Sequence, residues 1–467
     1  MDAPLTLPLS LIDQLAAALG PGAVSGPGAM EPRHLGDWVV KSAPGEAPAA
    51  VAYPRSTEEV SAVLRICHAL RVPVVPQGGL TGLAGGATPM AGCVVLSLAR
   101  MREVEEVDAA ASTITVQAGV PLQSVQDAAD AAGLLFALDI GSRGSCLIGG
   151  NVSTNAGGNR VLRYGMAREQ VLGIEVVLAD GTVMTSLNKM LKNNAGYDLK
   201  HLFIGAEGTL GVITRLVLRL YPRPASICTA VCALPDYAAV LELLRRARAG
   251  LGGTLAAFEV LWPEFYTLAT TEHGCRAPVP RGHGLYVLLE SLGTDQETDA
   301  ERFGAMIEGA LEAGVVVDAA MAQSLRESRD MWAIRDSVTE FSRSFHPHVG
   351  FDVSVPIGRM QDFIDDCRAH LEALAPGTRT LYFGHIADSN IHLNVLQVPD
   401  GPTKQQIDAV VYARVREFGG SVSAEHGIGL LKKPYLPYSR TPVELEVMRR
   451  VKAALDPEGI LNPGKVF

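Results

Sequence analysis

The sequence predicts an α+β fold of two domains. The chain has 467 residues, more than one hydrophobic core usually serves, and 48% of them are apolar, so two well-packed cores are expected. Strand-like segments dominate the first half, whereas helix-like and strand-like segments alternate in the second. Residues 221–224, which contain two prolines, favour a boundary between the two series because proline ends a sheet.

After the lead-in, the first half is expected to begin with a helix near Ser56. Ser56 or Thr57 followed by Glu59 is a capping-box pattern, and the helical periodicity after it ends in a short β-branched strand before a glycine loop. A second helix is predicted over residues 121–134. Four further segments have the composition of strands: residues 93–98, 112–119, 173–184 and 210–222.

The second half is expected to form another sheet with helices on one face. Its helices are predicted at residues 234–250, 299–314 and 360–374, and its strands at residues 285–293 and 351–356. From about Ser421 the chain is short of strand patterns and is expected to return to the first domain. The predicted division is residues 1–222, with a helical lead-in over about 1–47, then 223–420 and a C-terminal segment of 421–467.

Composition narrows the classes of partner. The formal net charge is −10 and lysine and arginine are scattered, so nucleic acid and anionic membrane surfaces are poor partners and a small substrate fits better. The seven cysteines lack the paired spacing of metal clusters and are expected to be reduced, mostly buried thiols. No segment resembles a secretion signal or a transmembrane span, so we expect a cytoplasmic protein, at most peripheral to a membrane.

Two glycine-rich loops are candidates for binding a phosphorylated cofactor. Residues 76–86, "PQGGLTGLAGG", follow a predicted strand, and successive N–H groups in such a loop form an anion-binding nest. Alone, this loop can equally be a tight connection. Residues 141–158, "GSRGSCLIGGNVSTNAGG", supply a second such loop, and two loops can enclose a pyrophosphate. Neither has the GxGxxG spacing of a Rossmann fold, which argues against tightly bound NAD.

The segment 384–395, "GHIADSNIHLNV", concentrates polar residues in apolar surroundings. His385 and His392 are seven apart and would lie on opposite faces of an unbroken strand, so they converge only if the chain turns between them. Asn394 would share a face with His392. Together with Glu425, the two imidazoles form a ligand set that suits zinc best, with manganese or iron as alternatives, although each histidine alone is more often a core residue.

Two further candidates for chemical roles lie outside this ligand set: a histidine, and a pair formed by an arginine and a threonine. His426 neighbours Glu425, and adjacent side chains diverge, so it is free to act as a general base. Arg335 and Thr339 are four apart on a predicted helix and are expected to face the same way. A guanidinium can grip a carboxylate at two points.

Seven segments in order resemble the FAD-linked 2-hydroxyacid dehydrogenases of the vanillyl-alcohol-oxidase type superfamily, and in particular D-2-hydroxyglutarate and D-lactate dehydrogenases. They are the two glycine loops, "VVLADGT", "NAGYDLKHLFIGAEGTLGVIT", "GHIADSNIHLNV", "SAEHGIG" and "LDPEGILNPGK". The resemblance spans roughly residues 50–467. It implies an FAD-binding domain of the p-cresol methylhydroxylase type, a cap domain with an antiparallel sheet, and a C-terminal segment that returns to the FAD domain.

The resemblance also implies roles for individual residues. His385, His392 and Glu425 would bind the metal, and Arg335, Thr339, Asn394 and His426 would act on the substrate as the C2 hydride passes to flavin N5. The residues implied to hold FAD are Pro76, Gly78, Gly79, Leu80, Thr81, Gly82, Leu83, Gly141, Ser142, Gly144, Ser145, Gly149, Gly150, Asn151, Thr154, Asn155, Gly157, Glu207, Gly211, Ile213 and Asn462.

This chain departs from the family pattern at several positions. Leu80 stands where relatives that tether flavin have a histidine, so FAD is expected to be noncovalent. Gly350 stands where the hydroxyglutarate enzymes have a lysine that binds the distal carboxylate of the substrate. Its absence favours D-lactate or larger monocarboxylic D-2-hydroxy acids. His346 and His348 could partly substitute for the lysine, so D-2-hydroxyglutarate stays an alternative substrate. Two usual glycines of the histidine motif are replaced, by Ala387 and Ser389.

Several alternatives stay open at this stage. Another oxidase of the same superfamily, a glycolate-oxidase-like subunit that needs a partner, and a non-catalytic metal- or nucleotide-binding protein would share parts of the pattern. The resemblance favours a quinone, an electron-transfer flavoprotein or a cytochrome as electron acceptor over oxygen. A homodimer is one assembly that the sequence permits.

Overall fold

The computed structural model describes residues 10–43 and 46–467; residues 1–9 and 44–45 of the expected helical lead-in lie outside this part of the chain. Up to Pro222 the helices are α1 Leu11–Leu19, α2 Thr57–Leu70, α3 Leu122–Ala131, α4 Ile148–Ser153, α5 Val161–Tyr164, α6 Ala167–Gln170 and α7 Lys200–Phe203. The strands are β1 Val24–Ser25, β2 Ala50–Ala52, β3 Val74–Gln77, β4 Val94–Ser97, β5 Val104–Asp108, β6 Thr113–Gln117, β7 Leu134–Leu135, β8 Val171–Val177, β9 Val183–Ser186, β10 Val212–Arg219 and β11 Tyr221–Pro222.

These strands form two larger sheets that share one core. The first sheet has the order β1-β2-β4-β3, with β2, β4 and β3 parallel, and the second is antiparallel with the order β5-β6-β10-β8-β9. Apolar residues of both sheets pack with those of α1 to α4 in a single buried cluster. The short strands β7 and β11 pair separately.

Local details differ from the sequence-based expectations at two places. Ser56 caps α2 by accepting from Glu59 N, but the reciprocal bond of a capping box is not made because the Glu59 carboxylate accepts from Arg55 N instead. The expected strand over 173–184 is a hairpin of β8 and β9, turned at Gly181, whose φ of 82° suits glycine.

The second part of the chain builds a seven-stranded sheet of order β15-β12-β14-β13-β17-β18-β16, in which every paired neighbour is antiparallel. Its strands are β12 Ser226–Leu234, β13 Leu255–Leu261, β14 Leu285–Gly293, β15 Asp318–Met321, β16 His348–Ser354, β17 Thr380–Gly384 and β18 Asn390–Leu396. Its helices are α8 Tyr237–Leu251, α9 Pro263–Thr271, α10 Gln296–Glu312, α11 Leu325–Asp336, α12 Phe341–Ser344, α13 Met360–Leu374, α14 Lys404–Glu417 and α15 Pro442–Leu455.

Both faces of this sheet carry apolar side chains, which explains the nearly continuous apolar run of β14. The helical layer expected on one face is present, formed by α8, α10, α13 and α14. The structure adds a smaller cluster on the opposite face, to which α9, α11 and α12 contribute. That second face also bears the polar residues of the candidate site.

The C-terminal segment returns to the first sheet, as expected. Ser421 first bridges to Ser354 of the second sheet, and α15 follows. Beyond α15, Leu461 forms a parallel bridge with Val74, and Asn462 N donates to the Val74 carbonyl at 2.8 Å. Residues from the two ends of the chain therefore share the first core.

Two sequence-level expectations about the whole chain can be compared with the structure. All seven cysteines lie within the described residues, and six of them are buried, which confirms that these thiols are mostly buried. Within residues 10–43 and 46–467, no helix combines the length and the apolar composition that crossing a lipid bilayer requires.

Candidate active site

A hairpin of the seven-stranded sheet brings the paired histidines together. His385 follows β17 and His392 lies within β18. Residues 386–388 form a 3₁₀ turn, and Ser389 closes it with a left-handed φ of 74°, so the turn expected from the sequence is present. Glu425, from the loop after α14, completes the group, because one ligand atom from each of the three residues lies within 4.8 Å of the others.

The buried carboxylate of Glu259, on β13, joins His385 to Arg335. Its Oε1 contacts His385 Nδ1, and its Oε2 accepts from Arg335 Nε at 3.2 Å. Burial alone would raise the pKa of Glu259, but the adjacent His385 and Arg335 lower it to about 2. Arg335 Nη2 also lies 3.0 Å from His385 Nε2. Glu259 therefore orients the His385 ring, as carboxylates behind metal-binding histidines do.

Asp352, on β16, holds the loop that carries Glu425. Its Oδ2 accepts from the backbone N–H groups of Glu425 at 2.9 Å and His426 at 3.0 Å, and its Oδ1 accepts from Asn390 Nδ2 at 2.7 Å. Burial would raise the pKa of Asp352, yet the nearby His426 and Lys432 hold it well below its usual range. Asp352, Glu425 and His426 also have ligand atoms within 4.8 Å of one another. Because both Asp352 oxygens are hydrogen-bonded, we assign it to loop organisation rather than metal binding.

The group of two histidines and a glutamate fits a divalent cation. His392 Nε2 is buried and has no hydrogen-bond partner among the described residues. Burial lowers the pKa of this ring well below its ordinary value, so it is neutral, the form that ligates metals. Glu425 Oε1 accepts from Gly158 N at 2.7 Å, and its other oxygen remains for a second partner. Burial lowers the pKa of His385, but the carboxylate on its Nδ1 raises it to about 9, so this ring ligates a cation only once it loses its proton and its contact with Arg335 Nη2. Two imidazole nitrogens and a carboxylate then suit zinc, manganese or iron.

Neighbouring positions on β16 and β18 extend this polar face. Asp352 pairs with His392 and Gly350 pairs with Asn394, and residues two apart on a strand share a face. Asn394 is buried, and a Cβ on Gly350 would lie 3.0 Å from its Oδ1. The His426 side chain is 31% exposed, and its ring centroid lies 6.3 Å from that of His392. His426 therefore occupies the open side of the group.

Thr339 is not placed with Arg335, so the expected shared helix face is wrong. The α-helix ends at Asp336, and residues 337–340 tighten into a 3₁₀ turn with a different side-chain spacing. Thr339 is exposed, and its hydroxyl donates to the Asp336 carbonyl at 3.0 Å. Apolar periodicity alone does not reveal where a helix changes its pitch.

The two glycine loops lie against each other. A Cβ on Gly79 would meet the Ser145 carbonyl at 2.2 Å, so only glycine permits this approach. In the second loop, three glycines face open space, because no atom lies within 4 Å of the point where a Cβ would stand: Gly141, Gly144 and Gly150. The loops therefore combine close mutual contact with room for a ligand.

Four non-glycine residues implied to hold FAD have left-handed backbones: Leu80, Asn155, Glu207 and Asn462, with φ of 61°, 51°, 51° and 41°. Such conformations cost on the order of 1 kcal/mol or more each and persist where the surroundings fix them. Leu80 and Asn155 lie in the two glycine loops, and the other two residues contact each other beside the first loop, so all four mark the region expected to hold a ligand.

Asn462 joins the C-terminal segment to the first loop, and Glu207 holds an earlier part of the same segment. The Glu207 carboxylate accepts from Ile428 N at 2.7 Å and Gly429 N at 2.9 Å. Asn462 Nδ2 donates to the carbonyl oxygens of Gly86 at 3.0 Å and Glu207 at 2.7 Å. Burial raises the pKa of Glu207. Both residues thus hold loop backbone through their side chains.

The candidate metal ligands adjoin the second loop. Gly158 N donates to Glu425, and a Cβ on Gly157 would lie 2.2 Å from Glu425 Oε1. The candidate cation site and the expected flavin site therefore share one wall.

Other residues of the expected FAD set have packing or local roles in the structure. A Cβ on Gly149 or Gly211 would contact Ala118 or Val176, and Ile213 belongs to the first core. Hydroxyls of Ser145 and Thr154 bond to the carbonyl oxygens of Ser142 and Gly150. Six more lie at or along the two loops, where their contacts with a cofactor stay predictions: Pro76, Gly78, Thr81, Gly82, Leu83 and Asn151.

Sequence reasoning missed three charged residues that organise the site: Glu259, Asp352 and Lys432. Lys432 Nζ donates to the Asp352 carbonyl and to Ser423 Oγ, each at 3.1 Å. A signal was available for Glu259, the one charged residue of β13, because a charge inside an apolar strand is costly unless it is paired.

Comparison with known proteins shows that the chain is similar to flavoproteins. The family model described as "FAD linked oxidases, C-terminal domain" matches residues 223–466, and the one described as "FAD binding domain" matches residues 48–186. The solved structure of p-cresol methylhydroxylase with substrate bound superposes with a TM-score of 0.77 at 16% identity, over 98% of this chain and 96% of that one. Fold and matched families together define an FAD-linked oxidoreductase.

Curated relatives narrow this class of FAD-linked oxidoreductases to one family. Mitochondrial D-2-hydroxyglutarate dehydrogenase of Bos taurus is 41% identical over 99% of this chain and 85% of its own length. D-2-hydroxyglutarate dehydrogenase of Xanthomonas citri is 41% identical over 93% and 92%. A putative D-lactate dehydrogenase of Schizosaccharomyces pombe is 36% identical over 88% and 80%. The chain belongs to the FAD-linked D-2-hydroxyacid dehydrogenase family.

Proposed function

We propose that this protein oxidises a D-2-hydroxy acid to the 2-oxo acid, with noncovalent FAD and a divalent cation. The observation that carries the proposal is the contact of Glu425 with Gly157 and Gly158, since it sets the candidate metal ligands beside the expected flavin loop. The relatives named D-2-hydroxyglutarate and D-lactate dehydrogenase support this class of substrate.

Each polar group then has one task. Bound FAD supplies a hydride acceptor at N5, and a cation held by the histidine and glutamate group supplies a Lewis acid. Arg335, held by Glu259, grips the substrate carboxylate. His426 takes the hydroxyl proton from the open side, and Asn394 adds an amide on the same sheet face.

Gly350 bears on the choice of hydroxy acid. It lies on the same face as Asp352, opposite Asn394, and brings no cation to this part of the site. Loss of a charged hydrogen bond of about 1.5 to 3 kcal/mol would weaken a dicarboxylate by roughly one to two decades. We therefore propose that D-lactate or larger monocarboxylic D-2-hydroxy acids react better than D-2-hydroxyglutarate.

An anaerobic bleaching screen tests the reaction class. The purified flavoprotein is mixed with D-lactate, D-2-hydroxyglutarate, D-malate and bulkier D-2-hydroxy acids, with the L-enantiomers as controls. We expect loss of the oxidised flavin absorbance with D-acids, at rates that rank the side chains. His426→Ala should slow bleaching while FAD content is retained. Bleaching by none of the D-acids would refute the proposal and favour a binding protein.

Metal dependence is tested separately. Elemental analysis should find about one divalent metal per chain, and chelation should abolish turnover without releasing FAD. His392→Ala should lose the metal, whereas unchanged turnover of a metal-free protein would remove the cation from the proposal.

The electron acceptor is proposed to be a quinone, an electron-transfer flavoprotein or a cytochrome. Stopped-flow mixing of the reduced protein with oxygen should give slow reoxidation compared with a soluble quinone. Fast reoxidation by oxygen would instead make the protein an oxidase.

A further inference from the structure

Helix α11 lies on the seven-stranded sheet through a row of polar residues. Ser328, Trp332 and Arg335 are spaced four and three apart, which places them on one helix face. Each meets a polar residue of a different strand. Ser328 Oγ lies 2.7 Å from Thr229 Oγ1 on β12, Trp332 Nε1 donates to Glu290 Oε2 on β14 at 2.8 Å, and Arg335 Nε donates to Glu259 Oε2 on β13.

The row crosses the sheet in strand order, since β12, β14 and β13 are consecutive neighbours. Apolar side chains of α11, among them Met331 and Ile334, already pack against this face. Buried polar pairs add little net stability over apolar packing, but each is satisfied in only one arrangement. The row therefore fixes where α11 sits on the sheet, and with it the position of Arg335.

Glu290 links this helix to the cofactor side of the molecule. Its side chain is 5% exposed, and its Oε1 has no hydrogen-bond partner among the described residues. A cation faces this oxygen, because Arg160 Nε lies 3.9 Å away. Arg160 follows Gly158, the donor to Glu425, by two residues. One carboxylate thus faces both the helix that bears Arg335 and the end of the second glycine loop.

We propose that Glu290 is a positioning residue that sets Arg335 relative to the flavin loop, through Trp332 on one side and Arg160 on the other. This inference rests on the proposed function for the role of Arg335, but the coupling between Glu290 and Arg160 does not. Displacement of a substrate-holding group by a fraction of an ångström weakens both binding and the alignment of the reacting atoms.

Two conservative variants and one matched control test the role in catalysis. Glu290→Gln keeps the size of the side chain and removes its charge, and Trp332→Phe removes the indole N–H. We expect both to raise KM for the best D-2-hydroxy acid about tenfold and to lower the limiting rate of flavin reduction, with FAD content unchanged. Ser324→Ala removes the N-cap of α11, which accepts from Glu327 N at 3.2 Å and is not part of the row, and should lower Tm with KM unchanged.

A readout that needs no substrate tests the link between the two parts of the chain. Thermal unfolding is measured for Glu290→Gln, Arg160→Gln and the double variant, with FAD bound. The shifts in Tm should not add, because each variant removes the same interaction. Additive shifts would overturn the proposal, as would a lowered Tm with unaltered KM in both Glu290→Gln and Trp332→Phe. If no D-2-hydroxy acid bleaches the unaltered protein, the proposed function alone is refuted. The Tm shifts of the two single variants and the double variant would still decide whether Glu290 and Arg160 are coupled.

Discussion

At the scale of single residues, Leu80 is the position on which the prediction of noncovalent FAD rests. It follows Gly79 in the first loop with a φ of 61°, and a leucine side chain offers no nucleophile for a bond to the flavin. Precipitation in acid should therefore release all the flavin into the supernatant, where its absorbance is measured. Yellow colour that stays with the washed precipitate would contradict a noncovalent cofactor.

Gly350 is the residue from which substrate preference can be changed. Gly350→Lys should raise kcat/KM for D-2-hydroxyglutarate relative to D-lactate by about one to two decades, because it adds a charged partner for the distal carboxylate. A Cβ there lies 3.0 Å from Asn394 Oδ1, so a small shift of that amide is needed. Gly350→Met imposes the same shift without the charge and is the control. Equal effects of both variants would show that shape rather than charge is at work.

Asp388, in the turn between His385 and His392, gives the metal-free protein a pH-dependent stability. Burial, with the Glu425 and Glu259 charges added, raises its pKa to about 7. Because the folded pKa exceeds the unfolded value, the stabilisation is complete below about pH 4 and is lost as pH rises through 7. The full loss corresponds to about 4 kcal/mol at most.

Asp388→Asn should remove this dependence. In chelated protein, the Tm of the unaltered chain should fall between pH 5 and pH 8 more steeply than that of the variant. Asp330→Asn, at an exposed position of α11, should follow the unaltered chain. Parallel Tm curves for Asp388→Asn and the unaltered chain would show that this carboxyl does not titrate in the range.

At the scale of elements, the site is shaped by the close contact between the second glycine loop and the loop that carries Glu425. Gly157→Ala would set a Cβ 2.2 Å from Glu425 Oε1, so the carboxylate must move. We expect metal affinity to fall by about tenfold or more with the fold retained, measured by competition with a chromogenic chelator. Gly309→Ala, on α10 with no atom within 4 Å of the added methyl, is the control. Equal metal affinity of both variants would contradict Glu425 as a ligand.

The elements also show how far the sequence could predict the structure. Periodicity located α2, α3, α8, α10 and α13, because a half-buried helix repeats its apolar residues along one face. β5, Val104–Asp108, escaped prediction because its side chains are polar and partly exposed. The hairpin turn between the paired histidines was predictable from its polar residues.

Contacts across long sequence separations were not predictable in this way. Glu259 meets His385 across 126 positions, and Glu207 meets Ile428 across 221. In each pair the glutamate is locally just one acidic residue in apolar surroundings, and only the fold reveals its partner. The candidate metal ligands could therefore be predicted from sequence motifs, whereas the partners of the carboxylates that orient them were identified only from the structure.

At the scale of the whole molecule, the last residues of the chain close the cofactor side of the first core. Asn462 is the test position, since its amide bonds to two carbonyl oxygens and its backbone is left-handed with a φ of 41°. Aspartate tolerates that backbone, so Asn462→Asp changes mainly the hydrogen bonds. It removes both donors and turns a carboxylate toward the carbonyl oxygens of Gly86 and Glu207.

We therefore expect Asn462→Asp to weaken FAD binding by about one to two decades, as loss of two buried hydrogen bonds implies, with the helical content of the apoprotein unchanged. Titration of the apoprotein with FAD, followed by flavin fluorescence, gives the affinity. Asn193→Asp, at an exposed position where the side-chain oxygen merely accepts from Ala195 N, should bind FAD as the unaltered chain does. If the two variants bind FAD equally well, the Asn462 amide does not shape the first loop, and the hydrogen bonds that Leu430 N and Leu431 N donate to the Ala84 carbonyl hold that loop instead.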